Sequence, residues 1–428
     1  MPKWRFAQEE NIADIKEESA IDCEAAGKKK VRIVALLGPA FVAAVAYVDP
    51  GNVAANITAG ARYGYLLVWV LVLANLMAVL VQYESAKLGI VTGRSLPELL
   101  GDKLPKPWRI AFWLQAEVVA AATDLAEVIG GAIALYLLFG VPLFWGGVIT
   151  GVVSLILLLA QNRNGQIVFE RLVIGLLLII TLGFVSGLLF SPPDWGGVLG
   201  GMVPRFRGSE TIVVAASMLG ATVMPHAIYL HSSLVKDRHG VGHSDSKIKV
   251  LLRASKFDVV WALLIAGCVN IALLLLAASA LPGKEGTDTI EGAYGAILGT
   301  FGTGVATVFA IGLLASGLAS TSVGAYAGSE IMAGLLHIYV PLWVRRIVTL
   351  IPALAILALG SEPTWSLVIS QVVLSVGIPL ALVPLIVFTR SRKVMGKWRD
   401  PWWLFVVTII VAALIIALNL ALVAMGQF

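Results

Sequence analysis

The sequence predicts an all-α integral membrane protein of eleven transmembrane helices, built as a five-plus-five inverted repeat with discontinuous first and sixth helices. Three observations lead there. The 428 residues are 58% hydrophobic and only 13% charged, with mean hydropathy +0.90; a soluble domain carries about 25% charged residues. The apolar runs are too long for soluble core helices. Two of them also break at a proline in mid-run, at Asp49-Pro50-Gly51-Asn52 and at Met224-Pro225-His226.

The eleven spans are expected near 33–60, 65–90, 109–138, 142–160, 167–190, 210–235, 255–282, 298–334, 342–360, 364–389 and 402–425. Residues 1–32 are polar and mixed in charge, with no signal-peptide pattern, and are expected to form a flexible cytoplasmic tail. The first repeat then covers 33–190 and the second 191–389, and 390–428 supplies a cytoplasmic loop and the eleventh helix. Lys and Arg set the orientation. With the N-terminus inside, 26 of the 31 fall in interior segments, and only Arg62, Arg205, Arg207 and Lys284 fall outside. Lys87, near the inner end of the second span, is expected to snorkel inward and to pair with Glu84. The segment Lys236–Lys256 reads as a polar interior loop. The C-terminus is then extracytoplasmic, in a multi-pass protein of the cell membrane. The first and sixth spans enter from opposite sides, which is the signature of inverted halves. The eighth carries the small-residue run Ala315–Ser322, which lets helices approach closely.

The breaks carry chemistry. Proline has no N–H, so Pro50 frees the carbonyl of Ala46 and Pro225 that of Ala221. Irregular backbone at membrane depth is tolerated only where it is buried in protein or lines a cavity. Asp49 is an ionisable group near mid-membrane, a functional candidate by default; its bland alternative is to cap the half-helix that follows. Asn52 offers an amide oxygen one turn on. Met224 is filler in most membrane helices, but opposite an acid at the other break it becomes a thioether ligand. Sulfur favours transition metals, whereas magnesium and calcium prefer oxygen alone. The donor set is therefore Asp49, Asn52, Met224 and the Ala46 and Ala221 carbonyls, suited to Mn²⁺ or Fe²⁺ and open to Cd²⁺, Co²⁺, Ni²⁺ or Zn²⁺.

A second group of residues suggests a proton route. Glu117, Asp124 and Glu127 fall along one face of the third span. Arg345 and Arg346, opening the ninth, are their natural partners, whether structural or as part of a relay. His226 follows Met224 by two residues and His231 lies five further on; histidine titrates near neutrality. Metal binding requires a deprotonated carboxylate, so proton and metal meet at Asp49. Asn75, Gln82 and Asn270 read as bridges between helices.

These motifs resemble the Nramp family of proton-coupled divalent metal transporters. Supporting stretches are Gly60–Tyr65, Ala122–Glu127 and Tyr229–Ser232, and the likeness runs from Gly38-Pro39 to the tenth span. The resemblance implies the LeuT-type fold, uptake of Mn²⁺ or Fe²⁺ with protons, and metal binding by Asp49, Asn52, Met224 and the two carbonyls. It adds Gln371 on the tenth span as a ligand, and it gives the proton to Asp49 and the third-span acids. One departure is Ala227, where many members carry Asn after Met-Pro-His.

Several classes are disfavoured. A LeuT-fold amino-acid transporter receives a substrate carboxylate at its broken helices and avoids an acid there, against Asp49. A magnesium-transporting Nramp relative gains nothing from Met224. A channel needs no broken inverted repeat. An intramembrane enzyme lacks its motif here, since no His-Glu-x-x-His occurs. The expected partners are the metal ion, the proton and the bilayer, with no resident cofactor, no nucleic acid and no obligatory protein partner. The scattered basic residues make no nucleic-acid surface. Cys23 in the tail and Cys268 in an apolar run give no disulfide framework.

Overall fold

The computed structural model describes residues 36–282, 286–287, 289–360 and 363–424. The expected tail, with Cys23, lies outside the described residues. Helix occupies each of the eleven expected spans, and among the described residues seven helical stretches are long and apolar enough to cross a membrane.

The first span is α1 (Pro39–Val45), a 3-10 turn (Ala46–Val48) and α2 (Pro50–Tyr63). Pro39 and Pro50 each sit at a first helical position, where a missing N–H costs nothing. Then come α3 (Val68–Thr92) and the short α4 (Leu96–Lys103), which starts at a Ser95/Glu98 capping box. The first half continues through α5 (Lys106–Phe139), α6 (Leu143–Asn164) and α7 (Gln166–Val185). Two short helices, α8 (Gly187–Phe190) and α9 (Trp195–Gly201), lead to the sixth span. That span is α10 (Ser209–Thr222) and α11 (Pro225–His239), again with proline opening the second piece.

Two boundaries differ from expectation. The seventh span, α12 (Asp245–Ala280), begins ten residues early. Ser244 caps it by accepting from the Lys247 N–H, and with α11 running on to His239 only residues 240–244 of the expected interior loop are not helix. The eighth span, expected from residue 298, is α14 (Thr303–Leu336), and residues 298–301 close a further helix, α13 (Ile290–Phe301); Gly302 at φ 81° ends the first and starts the second. The chain closes with α15 (Leu342–Ala358), α16 (Pro363–Arg390), the single turn α17 (Arg392–Met395) and α18 (Trp402–Ala424).

The third and eighth spans, α5 and α14, share the most extensive interface, and the second and seventh, α3 and α12, also pack together. Counterparts of the two halves therefore meet at the centre. The α5–α14 seam depends on small residues. A Cβ on Gly317 would lie 2.9 Å from the Gly131 nitrogen and 3.0 Å from the Glu127 carbonyl oxygen, so the two backbones are in contact. Outward faces are apolar and exposed, as at Val118, Leu178, Leu182, Ile351 and Ile410; that surface suits lipid rather than water.

Lys87 does not snorkel free. It is buried, pairs with Asp400 from the loop before α18, and lies 3.6 Å from Glu84.

Candidate metal centre

The two breaks meet. Asp49 is extended (ψ 167°) and caps α2, with its Oδ1 accepting from the Asn52 backbone N–H at 2.9 Å. The structural reading of this residue, a helix cap, is therefore met by one carboxylate oxygen and leaves the other free of it. One carboxylate oxygen fixes the half-helix, while Oδ2 is buried with no hydrogen-bond partner among the described residues. A buried, unpartnered carboxylate oxygen is costly unless something compensates it.

Asn52 joins the breaks. Its amide NH₂ donates to Asp49 Oδ1 at 2.6 Å and to the Ala221 carbonyl at 2.8 Å. The sequence leaves the Ala221 carbonyl free; in the structure the neighbouring break holds it. Two acceptors thus converge on one donor, the arrangement of oxygens that a cation also satisfies. Turning the amide over presents its oxygen to the same point. Thr222 Oγ1 lies 3.5 Å from that oxygen.

Gln371 closes the other side. A Cβ on Gly51 would collide with its amide and lie 3.1 Å from Asp49 Oδ2, so glycine at 51 makes room for the α16 side chain beside the carboxylate. Both Gln371 amide atoms are buried and unpartnered among the described residues. Met224 is fully buried as the residue preceding α11, in the same apolar cluster as Ala46, Tyr47 and Val48. Of the three carbonyls in the 3-10 turn, Asn270 takes that of Tyr47 at 2.7 Å and Ser316 that of Val48 at 2.5 Å. The Ala46 carbonyl has no partner from another element among the described residues.

The third-span acids divide. Glu117, a quarter exposed, lies 2.9 Å from Arg345, away from the breaks. Asp124 pairs with the fully buried Arg346. Glu127 is fully buried, and neither carboxylate oxygen has a hydrogen-bond partner among the described residues. His226 is buried with both ring nitrogens likewise unpartnered. His231 takes a separate path: its Nδ1 is 2.8 Å from Gln82 Oε1, and Gln82 donates to the Tyr47 hydroxyl at 2.7 Å. That chain runs from α11 through α3 to the first break.

Sequence reasoning missed Tyr47, Ser316 and Thr222 as members of this network. It also missed Asp258, which accepts from the Gly38 N–H at 3.2 Å and the Ala40 N–H at 3.0 Å and so caps α1 from α12. The one available signal was a polar residue inside an apolar run; the partner across 200 residues leaves no trace in spacing.

A model of the family described as natural resistance-associated macrophage protein-like, Nramp, matches residues 40–425. The divalent metal cation transporter MntH of Mycobacterium tuberculosis is 58% identical over 391 residues, covering 91% of each chain. MntH of Bacillus subtilis is 45% identical over 394 residues, covering 91% of this chain and 92% of the relative. Among solved structures, the Eremococcus coleocola manganese transporter in complex with an aromatic bis-isothiourea substituted compound superposes with TM-score 0.85 at 32% identity, over 92% of this chain and 88% of that one. The fold is accordingly the LeuT type, with the first and sixth spans broken.

Proposed function

The chain belongs to the Nramp family, and on that premise we propose that it is a secondary active transporter. It carries divalent transition metal ions, Mn²⁺ and Fe²⁺ foremost and Cd²⁺ among others, into the cytoplasm with protons by alternating access. The relatives are named as transporters, not enzymes. One observation supports this reading above all: two interrupted spans converge on an unpaired carboxylate oxygen, with amides and a carbonyl around it. Asp49, Asn52, Gln371, the Met224 sulfur and the Ala46 and Ala221 carbonyls hold the ion, which is cargo rather than a resident cofactor. The end rich in Lys and Arg faces the cytoplasm, and no protein partner is required.

Protons enter at Asp49. Glu127 and the Asp124–Arg346 pair carry them onward, with His226 beside the metal and His231 on the Gln82–Tyr47 branch. Glu127 suits the role because no fixed partner holds its carboxylate.

The test is uptake by the purified protein in liposomes, with metal and lumenal pH read together. Mn²⁺ and Cd²⁺ should enter and the lumen acidify when a negative-inside potential is imposed. Metal entry with no pH change at any potential would remove the coupling. Met224→Ala should weaken Cd²⁺ uptake most, by roughly tenfold or more, and should admit Ca²⁺ or Mg²⁺ in competition. Unchanged Cd²⁺ preference would refute the thioether ligand. Glu127→Gln should slow lumenal acidification while leaving the metal concentration for half-maximal uptake near wild type. An equal fall in both would make it a structural residue.

A further inference from the structure

The loop between α16 and α18 is unlike an ordinary connection. Residues 390–403 hold five Lys/Arg against one acid, Asp400, and end in Trp402 and Trp403. A basic loop at one end of a membrane protein needs no explanation beyond topology. Such a loop needs no fixed shape, however, and this one is pinned.

Asp400 is buried beneath the loop, where it pairs with Lys87 of α3, and its N–H donates to the Thr389 carbonyl at 3.1 Å. Arg390 donates to the Asp400 carbonyl at 2.7 Å, and its guanidinium lies over the rings of Trp402 and Phe405, 5.6 Å and 5.4 Å from their centroids. Met395 is buried among the apolar residues that include Leu88, Leu96 and Phe388. With both ends and the middle held, Arg392, Lys393 and Arg399 are left exposed, and none has an ion-pair partner among the described residues. Lys397 pairs with Asp245 and does not join them. Lys103, exposed at the end of α4, turns instead to Phe388, with its ammonium 5.0 Å from the ring.

The surroundings favour one partner. Trp402 and Trp403 are 65% and 66% exposed at the start of an apolar span, and Trp108 is 62% exposed at the start of α5; tryptophan in such places sits at headgroup depth. The span that the loop feeds is the least enclosed of the seven candidates, with 22% of its apolar window buried, so its start borders lipid. Three exposed cations on a loop held in place beside indole rings match a phosphate attached to acyl chains.

We propose that Arg392, Lys393 and Arg399 form a seat for the phosphate of an anionic phospholipid headgroup, flanked by Trp402 and Trp403. The seat is separate from the metal centre and does not depend on how that centre works. The experiment uses the full chain in neutral detergent, titrated with phosphatidylglycerol, phosphatidylcholine or inorganic phosphate. Bound lipid is read by mass spectrometry and unfolding temperature by thermal melt. Phosphatidylglycerol should remain bound and raise the unfolding temperature, while phosphatidylcholine and inorganic phosphate should not. Arg392→Gln, Lys393→Gln and Arg399→Gln combined should weaken phosphatidylglycerol binding roughly fivefold per charge removed. Lys247→Gln, Lys249→Gln and Arg253→Gln, an equal charge change at exposed positions of α12, should bind like wild type. The proposal is overturned if the first triple variant still binds like wild type, or if both triple variants lose the lipid equally. It is equally overturned if inorganic phosphate alone reproduces the thermal shift, because the seat would then read a bare anion.

Discussion

Replacing Asp49 by asparagine is expected to abolish metal uptake while leaving a folded protein. Asparagine caps helices about as well as aspartate, so α2 keeps its start. What disappears is the charge, and with it the carboxylate oxygen that has no other partner. Loss of an outer-shell partner alone costs a metal site roughly 10–100-fold in affinity, and loss of the sole acid at the breaks should exceed that. Asp49→Ala removes the cap as well, which adds about 0.5–2 kcal/mol of destabilisation. The two variants therefore separate the roles: both should be silent in uptake, and only the alanine should melt earlier. Wild-type uptake by Asp49→Asn would mean that the carboxylate holds no metal.

The second large effect concerns stability. Arg346 is fully buried and pairs with Asp124 across the α5–α15 interface. Arg346→Met strands the Asp124 carboxylate in protein at membrane depth. Breaking a buried pair from one side costs about 3–5 kcal/mol, whereas replacing both partners with apolar residues is often neutral. The single variant should therefore unfold at a clearly lower temperature in detergent. Arg346→Met with Asp124→Leu should recover most of the loss. If the double variant melts as early as the single, the arginine acts through contacts other than this ion pair.

The fold was legible because lipid imposes simple rules. An apolar run of span length and a proline at mid-run each have one physical meaning at membrane depth. Boundaries were legible only where polarity changes. Asp245–Lys256 is polar yet helical, because Ser244 caps it and its residues favour helix. The last turn of α13 leads into Gly302 with no charged residue between, so it read as the start of the eighth span. At the site, donor types could be read from the motifs, but their partners could not. The motif gives Asn52 as an oxygen donor; the fold uses its NH₂ to hold the carbonyl of Ala221. Gln82 read as a bridge between helices, but its link from His231 to Tyr47 requires three segments in register. Such contacts depend on rotamers and tertiary distance, which periodicity does not encode.

The bare meeting of Gly131 and Gly317 has a mechanical consequence. Where two main chains touch with no side chain between them, they pack at the shortest distance helices allow, and no side chain can be inserted without forcing them apart. The third and eighth spans therefore behave as one post through the middle of the protein. In the alternating access proposed above, opening toward either side of the membrane is expected to pivot around that post, with the half-helices as its moving arms.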